Sequence, residues 1–271
     1  KSAKEFLTSN NRDGKFVVHL GDNILKDGIE DYVEQFKNDD ADCSILLKDV
    51  PDANRFGVVE IKDGKVVRLV EKPKDPPSNL ALVGVYMFNE SIFDSIENLK
   101  PSARNEYEIT EAIQGLLNSG KKITYNIIDS SWWKDPGDPD GILEANRLIL
   151  DDLPTFNRGT IESGANVIGK VTIDEGTVVK SGCSIRGPVI IGKNCVIDNN
   201  AYIGPYTSIG DNCVIKNAEI ESTILIGDTK IECKQRISDS VIGRNVTIVS
   251  PNRDLLNACR IVVGENSFLA I

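Results

Sequence analysis

The chain has 271 residues, 40% hydrophobic and 27% charged, an ordinary globular composition with length enough for two domains. Its net charge of −10 argues against a polyanion-binding face, so no nucleic-acid partner is expected, although a local basic pocket for a phosphate is compatible with it. No apolar run approaches a membrane span and nothing resembles a signal peptide, so no membrane partner is expected either; six cysteines without metal-ligand spacing fit a reducing cytoplasm better than a disulfide framework.

The chain opens at Lys1, without a methionine, inside a segment that reads as a helix, KSAKEFLTSN. Phe16–Leu20 has strand composition and stops abruptly at Gly21-Asp22-Asn23. In an open α/β sheet ligands bind at the carboxyl ends of strands. A carboxylate there can hold a hard cation, and Gly21 lets a substrate come close to the backbone. The same three residues also suit a plain turn after a buried strand. Residues 28–38 carry Ile29, Tyr32, Val33 and Phe36 at helical spacing. Strands are expected at 43–47 and 56–61, the latter turning at Lys62-Asp63-Gly64 into 65–70 as a hairpin, and then at 82–88. Helices follow at 91–99 and 108–118, a strand at 123–128, an acidic loop at 132–140 and a helix at 142–151. The alternation predicts a mostly parallel sheet flanked by helices.

At Pro154 the character changes, placing a boundary between a first domain, 1–153, and a second, 154–271. Aliphatic residues recur every sixth position at Ile161, Val167, Ile173, Val179, Ile185, Ile191, Ile197, Ile203, Ile209 and Ile215. Such a run is on the order of a one-in-a-million accident if aliphatics fill about a quarter of positions. A six-residue period makes one flat side of a prism-shaped solenoid, with the aliphatic pointing to the axis. Small residues four positions on, among them Cys183, Cys195 and Cys213, are expected to fill the corners as packing residues. The register slips after Ile215 and resumes at Ile226, Ile231, Ile237, Ile242 and Ile248, and the tail 251–271 is expected to cap the open end. The pattern resembles the left-handed hexapeptide-repeat β-helix, and the hand is implied by that resemblance alone. Such coils often belong to acyltransferases that use a coil histidine as base, or to zinc enzymes with several. The single histidine here, His19, lies in the first half, which argues against both.

Several elements of the first half stand in a telling order: Leu20-Gly21-Asp22-Asn23; Arg55-Phe56-Gly57; Val70-Glu71-Lys72-Pro73; Leu82-Val83-Gly84-Val85-Tyr86; Arg104 through Thr110 (RNEYEIT); and Trp132-Trp133-Lys134-Asp135-Pro136-Gly137. In order and spacing they resemble the sugar nucleotidyltransferases, most closely the long glucose-1-phosphate thymidylyltransferase branch with a C-terminal coil, and the likeness extends through Ser240–Asn245 and Val262–Glu265. The resemblance implies an α/β nucleotidyltransferase domain with a Rossmann-like mixed sheet, N-terminally incomplete, followed by the β-helix. It also implies nucleotidyl transfer from a nucleoside triphosphate, dTTP favoured, to a sugar 1-phosphate, glucose 1-phosphate favoured.

The attacking phosphate oxygen is already an anion at neutral pH, so the chemistry asks for charge neutralisation and positioning rather than a base. By resemblance, Asp22 and Asp135 hold Mg²⁺, Lys72 pairs with the sugar phosphate, Glu71 accepts hydrogen bonds from sugar hydroxyls, backbone at Gly57 and Leu82 with Phe56 shapes the sugar pocket, and Gly84 keeps it open. Asp135, Asp138 and Asp140 do not fit a calcium loop; Asp140 is expected to cap the next helix, and Trp132 and Trp133 to anchor packing. The glycine-rich nucleotide loop of the resembled family precedes Lys1, so the chain by itself is expected to be inactive while the intact protein transfers. A UTP-dependent uridylyltransferase and a non-catalytic regulatory subunit are the alternatives. A flat-sided coil commonly associates with copies of itself, so a homo-oligomer is expected.

Overall fold

The computed structural model of the protein describes residues 4, 5, 7, 14–128, 132–198 and 200–250. Lys4, Glu5 and Leu7 are helical, as the opening segment predicts, whereas the capping tail expected at 251–271 lies outside the described residues. Two compact units divide the chain, Lys1–Gly137 and Asp138–Ile271. Among the described residues no helix is long and apolar enough to cross a membrane.

In the first unit the short apolar runs become β1 (Phe16–His19), β2 (Ile24–Leu25), β3 (Cys43–Asp49), β4 (Gly57–Lys62), β5 (Lys65–Glu71), β6 (Leu80–Phe88), β7 (Ile123–Ile127) and β8 (Trp133–Lys134). The amphipathic stretches become α1 (Glu30–Asn38), α2 (Ser91–Glu97) and α3 (Ile109–Asn118). β6 is apolar at almost every position and buried along most of its length, as a central strand covered on both faces must be. β1 and β4 pair with it antiparallel on one side and β3 antiparallel on the other; β5 then extends the sheet beyond β4, and β7 beyond β3.

The sheet is therefore mixed and mainly antiparallel, not mostly parallel as the alternation predicts. The strands from β4 to β6 are joined without helices, the β4–β5 hairpin turning over Asp63 and Gly64 at φ 50° and 70°. Only β7, reached through α2 and α3, returns parallel to β3. Alternate residues feed two cores. Ile45, Leu47 and Phe88 meet Ile113 and Leu116 of α3, while Leu46, Val83, Val85 and Met87 pack in the cluster that holds Phe36 of α1. Away from this sheet, β2 and β8 form a two-residue antiparallel ribbon, pairing Ile24 with Lys134 and Leu25 with Trp133.

The second unit opens with α4 (Pro139–Asp152), which begins three residues earlier than its apolar spacing suggests. Asp138 is its cap, the carboxylate accepting from the Gly141 amide at 2.8 Å, with Pro139 in the first turn. The cap expected of Asp140 thus falls to Asp138, because a proline at the first helical position moves the start upstream. α4 belongs with the coil in this division: Asn146 donates to the Tyr206 carbonyl and accepts from Ser208, and Arg147 reaches Ser222 and Asp239. The boundary drawn at Pro154 follows the change in sequence character, whereas the compact unit starts ahead of the helix.

Beyond α4 the chain winds as a parallel β-solenoid of about five turns, its short strands stacked in three sheets. The periodic aliphatics from Ile173 to Ile215 line the axis and are at most 2% exposed, while Ile161, on the first turn, is 37% exposed. Cys183, Cys195 and Cys213 are buried beside them as packing residues. Many corners turn on a residue in the left-handed region just ahead of the small one, such as Gly182, Asn194 and Asn212 at φ 82°, 55° and 58°.

Early rungs stack three hexapeptides apart, Val167 on Ile185 on Ile203. The next stacks Ile203 under Ile220 and Ile209 under Leu225, one and two residues short. Shortened corners thus put Leu225 on the axis at 1% exposure and turn Ile226 out at 47%, correcting the expectation for Ile226. Leu225→Ala is expected to cost about 2–5 kcal/mol, as for other buried large-to-small changes. Ile226→Ala should stay within about 0.5 kcal/mol. Urea unfolding of the two variants checks the register, and equal losses would contradict it.

Candidate active site

One polar cavity of about 310 Å³ opens in the first unit beside the central strand β6 and its neighbour β4. Phe56, Gly57, Leu82 and Gly84 line it, with Glu71, Lys72 and Asp135 supplying charge. The residues to which the resemblance assigns a role in the site all line this cavity except Asp22, which, with Gly21, sits between the lining residues Leu20 and Asn23. Asp22 still acts on the site. The Asp135 carboxyl is held above its ordinary range by partial burial and then by the charge of Asp22, with Lys72 and Arg55 opposing.

Local folding explains this convergence. Asp22 follows β1 and immediately precedes Asn23 and β2; Asp135 immediately follows β8. The β2–β8 pairing therefore brings two distant loops side by side. Lys72 immediately follows β5 with φ 39°, an unfavourable conformation for a residue with a side chain, held by its amide donating to the Phe56 carbonyl at 3.0 Å.

Glu71, at the same strand end, is packed against α3, and the Thr110 hydroxyl donates to its carboxylate at 3.0 Å. Burial pushes the Glu71 carboxyl up; the Thr110 bond opposes this and the nearby Glu108 charge adds to it. Arg104 stands over the pair, at 3.6 Å from Glu71 and 3.8 Å from Glu108, with a closer bond to Glu106 at 2.7 Å. A Cβ on Gly57 would come within 2.6 Å of Thr110 and 3.1 Å of Glu71, so glycine is what allows β4 to close against this cluster.

Gly84 lines the cavity and has a further part beside the one expected. A Cβ there would lie 2.4 Å from the Asn23 amide nitrogen, so Asn23 takes the space that its missing side chain leaves. Trp133 serves as the packing anchor foreseen, 8% exposed, its ring 5.2 Å from that of Phe56. The sequence reading missed Asn23, Arg55, Tyr86, Thr110 and Trp133 as cavity residues. The Tyr86 hydroxyl is pushed up by burial and then by the charges of Glu71 and Asp135. Only their places within the quoted stretches could have marked them.

Among the described residues, no group of three or more His, Cys, Asp or Glu side chains could by itself enclose a metal ion. Asp22 and Asp135 are nonetheless an acidic pair whose charge Lys72 and Arg55 offset only in part, and one or two carboxylates completed by water and substrate phosphate is the usual environment of Mg²⁺. The residues present fit that ion.

Comparison with known proteins agrees with this architecture. Residues 1–152 match the family described as Nucleotidyl transferase, and residues 185–266 match the GMPPB C-terminal domain. The chain is 45% identical over 270 residues to the low-salt glycan biosynthesis nucleotidyltransferase Agl11 of Haloferax volcanii, covering 99% of this chain and 74% of that protein. It is 43% identical over 261 residues to a glucose-1-phosphate thymidylyltransferase of Streptomyces antibioticus, covering 96% and 72%. A crystal structure described as a glucose-1-phosphate thymidylyltransferase from Bacillus anthracis with sucrose aligns at a TM-score of 0.50 and 38% identity, over 58% of this chain and 62% of that one. With a sheet, a cavity and a sequence match that agree over its first half, the chain belongs to the nucleotidyl transferase family, in the branch of sugar nucleotidyltransferases that carry a C-terminal coil.

Proposed function

We propose that this protein joins a nucleoside triphosphate, dTTP in preference, to a sugar 1-phosphate, glucose 1-phosphate in preference, releasing pyrophosphate. The observation that carries the reading is the convergence on one cavity of a strained lysine, a half-buried, hydroxyl-bonded glutamate and Asp135, whose carboxyl feels the charge of Asp22 in the neighbouring loop. An oxygen of the sugar phosphate forms the new bond to the α-phosphorus as the bond to the β-phosphate's bridging oxygen breaks, the electron pair leaving with pyrophosphate. No proton needs to be removed, which suits a cavity whose sole neighbouring histidine, His19, is bonded to the Asn23 carbonyl.

Asp22 and Asp135 would hold Mg²⁺, which when bound supplies neutralisation of the phosphate charge. Lys72 meets the sugar phosphate as a point charge, and Glu71, fixed by Thr110, accepts from sugar hydroxyls. Phe56 and Leu82 give the ring an apolar wall, while Arg55 adds a second cation facing Asp135. The names of the relatives support the thymidylyl and glucosyl preferences, with UTP the alternative donor. We place the protein in the cytoplasm as a homo-oligomer. An acyl-transfer reading has no support from the coil, which carries no histidine.

A pyrophosphate-release screen of the full-length protein over nucleoside triphosphates and sugar phosphates is expected to give its highest kcat/KM with dTTP and glucose 1-phosphate; a higher value with UTP would favour the uridylyl alternative. Asp22→Asn or Asp135→Asn should lower kcat by about a hundredfold or more with the fold intact, since metal stabilisation is worth several kcal/mol. The raised Asp135 pKa gives a further test. Without metal, the ionised carboxylate destabilises the native state at neutral pH, and that penalty is lost as pH falls through the folded-state pKa. Metal-free Asp135→Asn should therefore melt above the wild type at pH 7, the difference fading in acid. A lower melting point at pH 7 would contradict this.

A further inference from the structure

Asn23 is 7% exposed, and both the oxygen and the nitrogen of its side-chain amide are hydrogen-bonded. Nδ2 donates to the Asp22 carboxylate at 2.9 Å. Oδ1 accepts from the Gly84 amide at 2.9 Å and from the Trp133 indole at 2.7 Å. Its backbone carbonyl accepts from His19 Nε2 at 2.9 Å. One side chain thus ties the loop after β1, the central strand β6 and the start of β8.

The chemistry of the position is narrow. A carboxamide combines a donor with a two-lone-pair acceptor. Aspartate would keep both acceptances but lose the donor to Asp22 and set a second carboxylate against it. Alanine would leave the Gly84 and Trp133 donors unpaired in a buried place. Gly84 completes the fit, since any Cβ there would collide with the Asn23 amide.

Trp133 stands two residues before Asp135 and pairs with Leu25, two residues beyond Asn23. The amide therefore grips both loops that bear an aspartate, one directly and one through the indole. We infer that Asn23 is a positioning residue that fixes the placement of Asp22 relative to Asp135 and so sets the affinity of the pair for a divalent ion. This rests on the proposed role of those aspartates as metal ligands.

The test uses Mn²⁺ as the probe, titrated by electron paramagnetic resonance into the full-length protein and its Asn23→Ala, Asn23→Asp, Trp133→Phe, Asp22→Asn and Asp135→Asn variants. Groups that orient metal ligands typically govern 10–100-fold in affinity, so Asn23→Ala is expected to weaken Mn²⁺ binding about tenfold or more. Its transferase activity should return at saturating Mn²⁺, which a general loss of packing would not allow. Trp133→Phe removes a single donor; it should weaken Mn²⁺ in the same direction by less, and it carries the test if Asn23→Ala does not fold. Wild-type Mn²⁺ affinity in folded Asn23→Ala, or in Trp133→Phe if that variant alone folds, with binding lost in both aspartate variants, would overturn the inference and leave the metal reading standing. Wild-type affinity in both aspartate variants, or no binding by the wild type, would overturn the two together.

Discussion

The site depends on a pairing only two residues long. β2 and β8 are too short to be stable alone, and an isolated hairpin of such strands would not persist in water. They hold because the indole of Trp133 is buried and hydrogen-bonded to Asn23, 110 residues away in the chain, and because its ring packs against Phe56. Aromatic burial supplies the energy, and a buried hydrogen bond that would be costly to leave unmade supplies the register. The loops bearing the acidic pair follow from that register.

Electrostatics in the cavity run against stability. Glu71 is partly desolvated next to Glu108, and Asp135 next to Asp22, so both carboxyls resist ionisation. Lysine and arginine side chains offset part of this, with Arg104 shared among three glutamates and Arg55 facing Asp135. An arrangement of this kind is poorly suited to a resting structure and well suited to receiving phosphate and a cation together, since each newcomer relieves a charge already present. The strained backbone at Lys72 belongs to the same economy, a local cost borne by the strand pairing around it.

Much of the fold can be read from the chain alone. The apolar run at 82–88 announces β6, the Asp63-Gly64 turn announces its hairpin, and the six-residue period announces the coil, because each is a repeating local pattern tied to burial. Residues quoted from the motifs of the first half, Phe56, Gly57, Glu71, Lys72, Leu82, Gly84 and Asp135, also prove to be neighbours around one cavity. What the chain conceals is of two kinds. Strands of two residues carry no period, so β2 and β8 are invisible, and with them the reason Asp22 meets Asp135. Roles that depend on a partner far away are equally hidden: Asn23 reads as a turn residue and Gly84 as open space until the two are seen filling one another's volume. The mainly antiparallel sheet and the cap at Asp138 were missed for nearer reasons, a hairpin's effect on strand direction and a proline's effect on a helix start.

The shortened corners beyond Ile215 have a consequence for how the solenoid assembles. A coil of identical turns can close one full turn out of step at little cost, since every aliphatic would still find an aliphatic beneath it. Here a displaced strand in the later turns would set the outward Ile226 against an inward rung and leave a corner too long or too short for its neighbours. The irregularity thus marks each turn as belonging to one level, and it guards a repetitive chain against the misfolded states that its own regularity would otherwise allow.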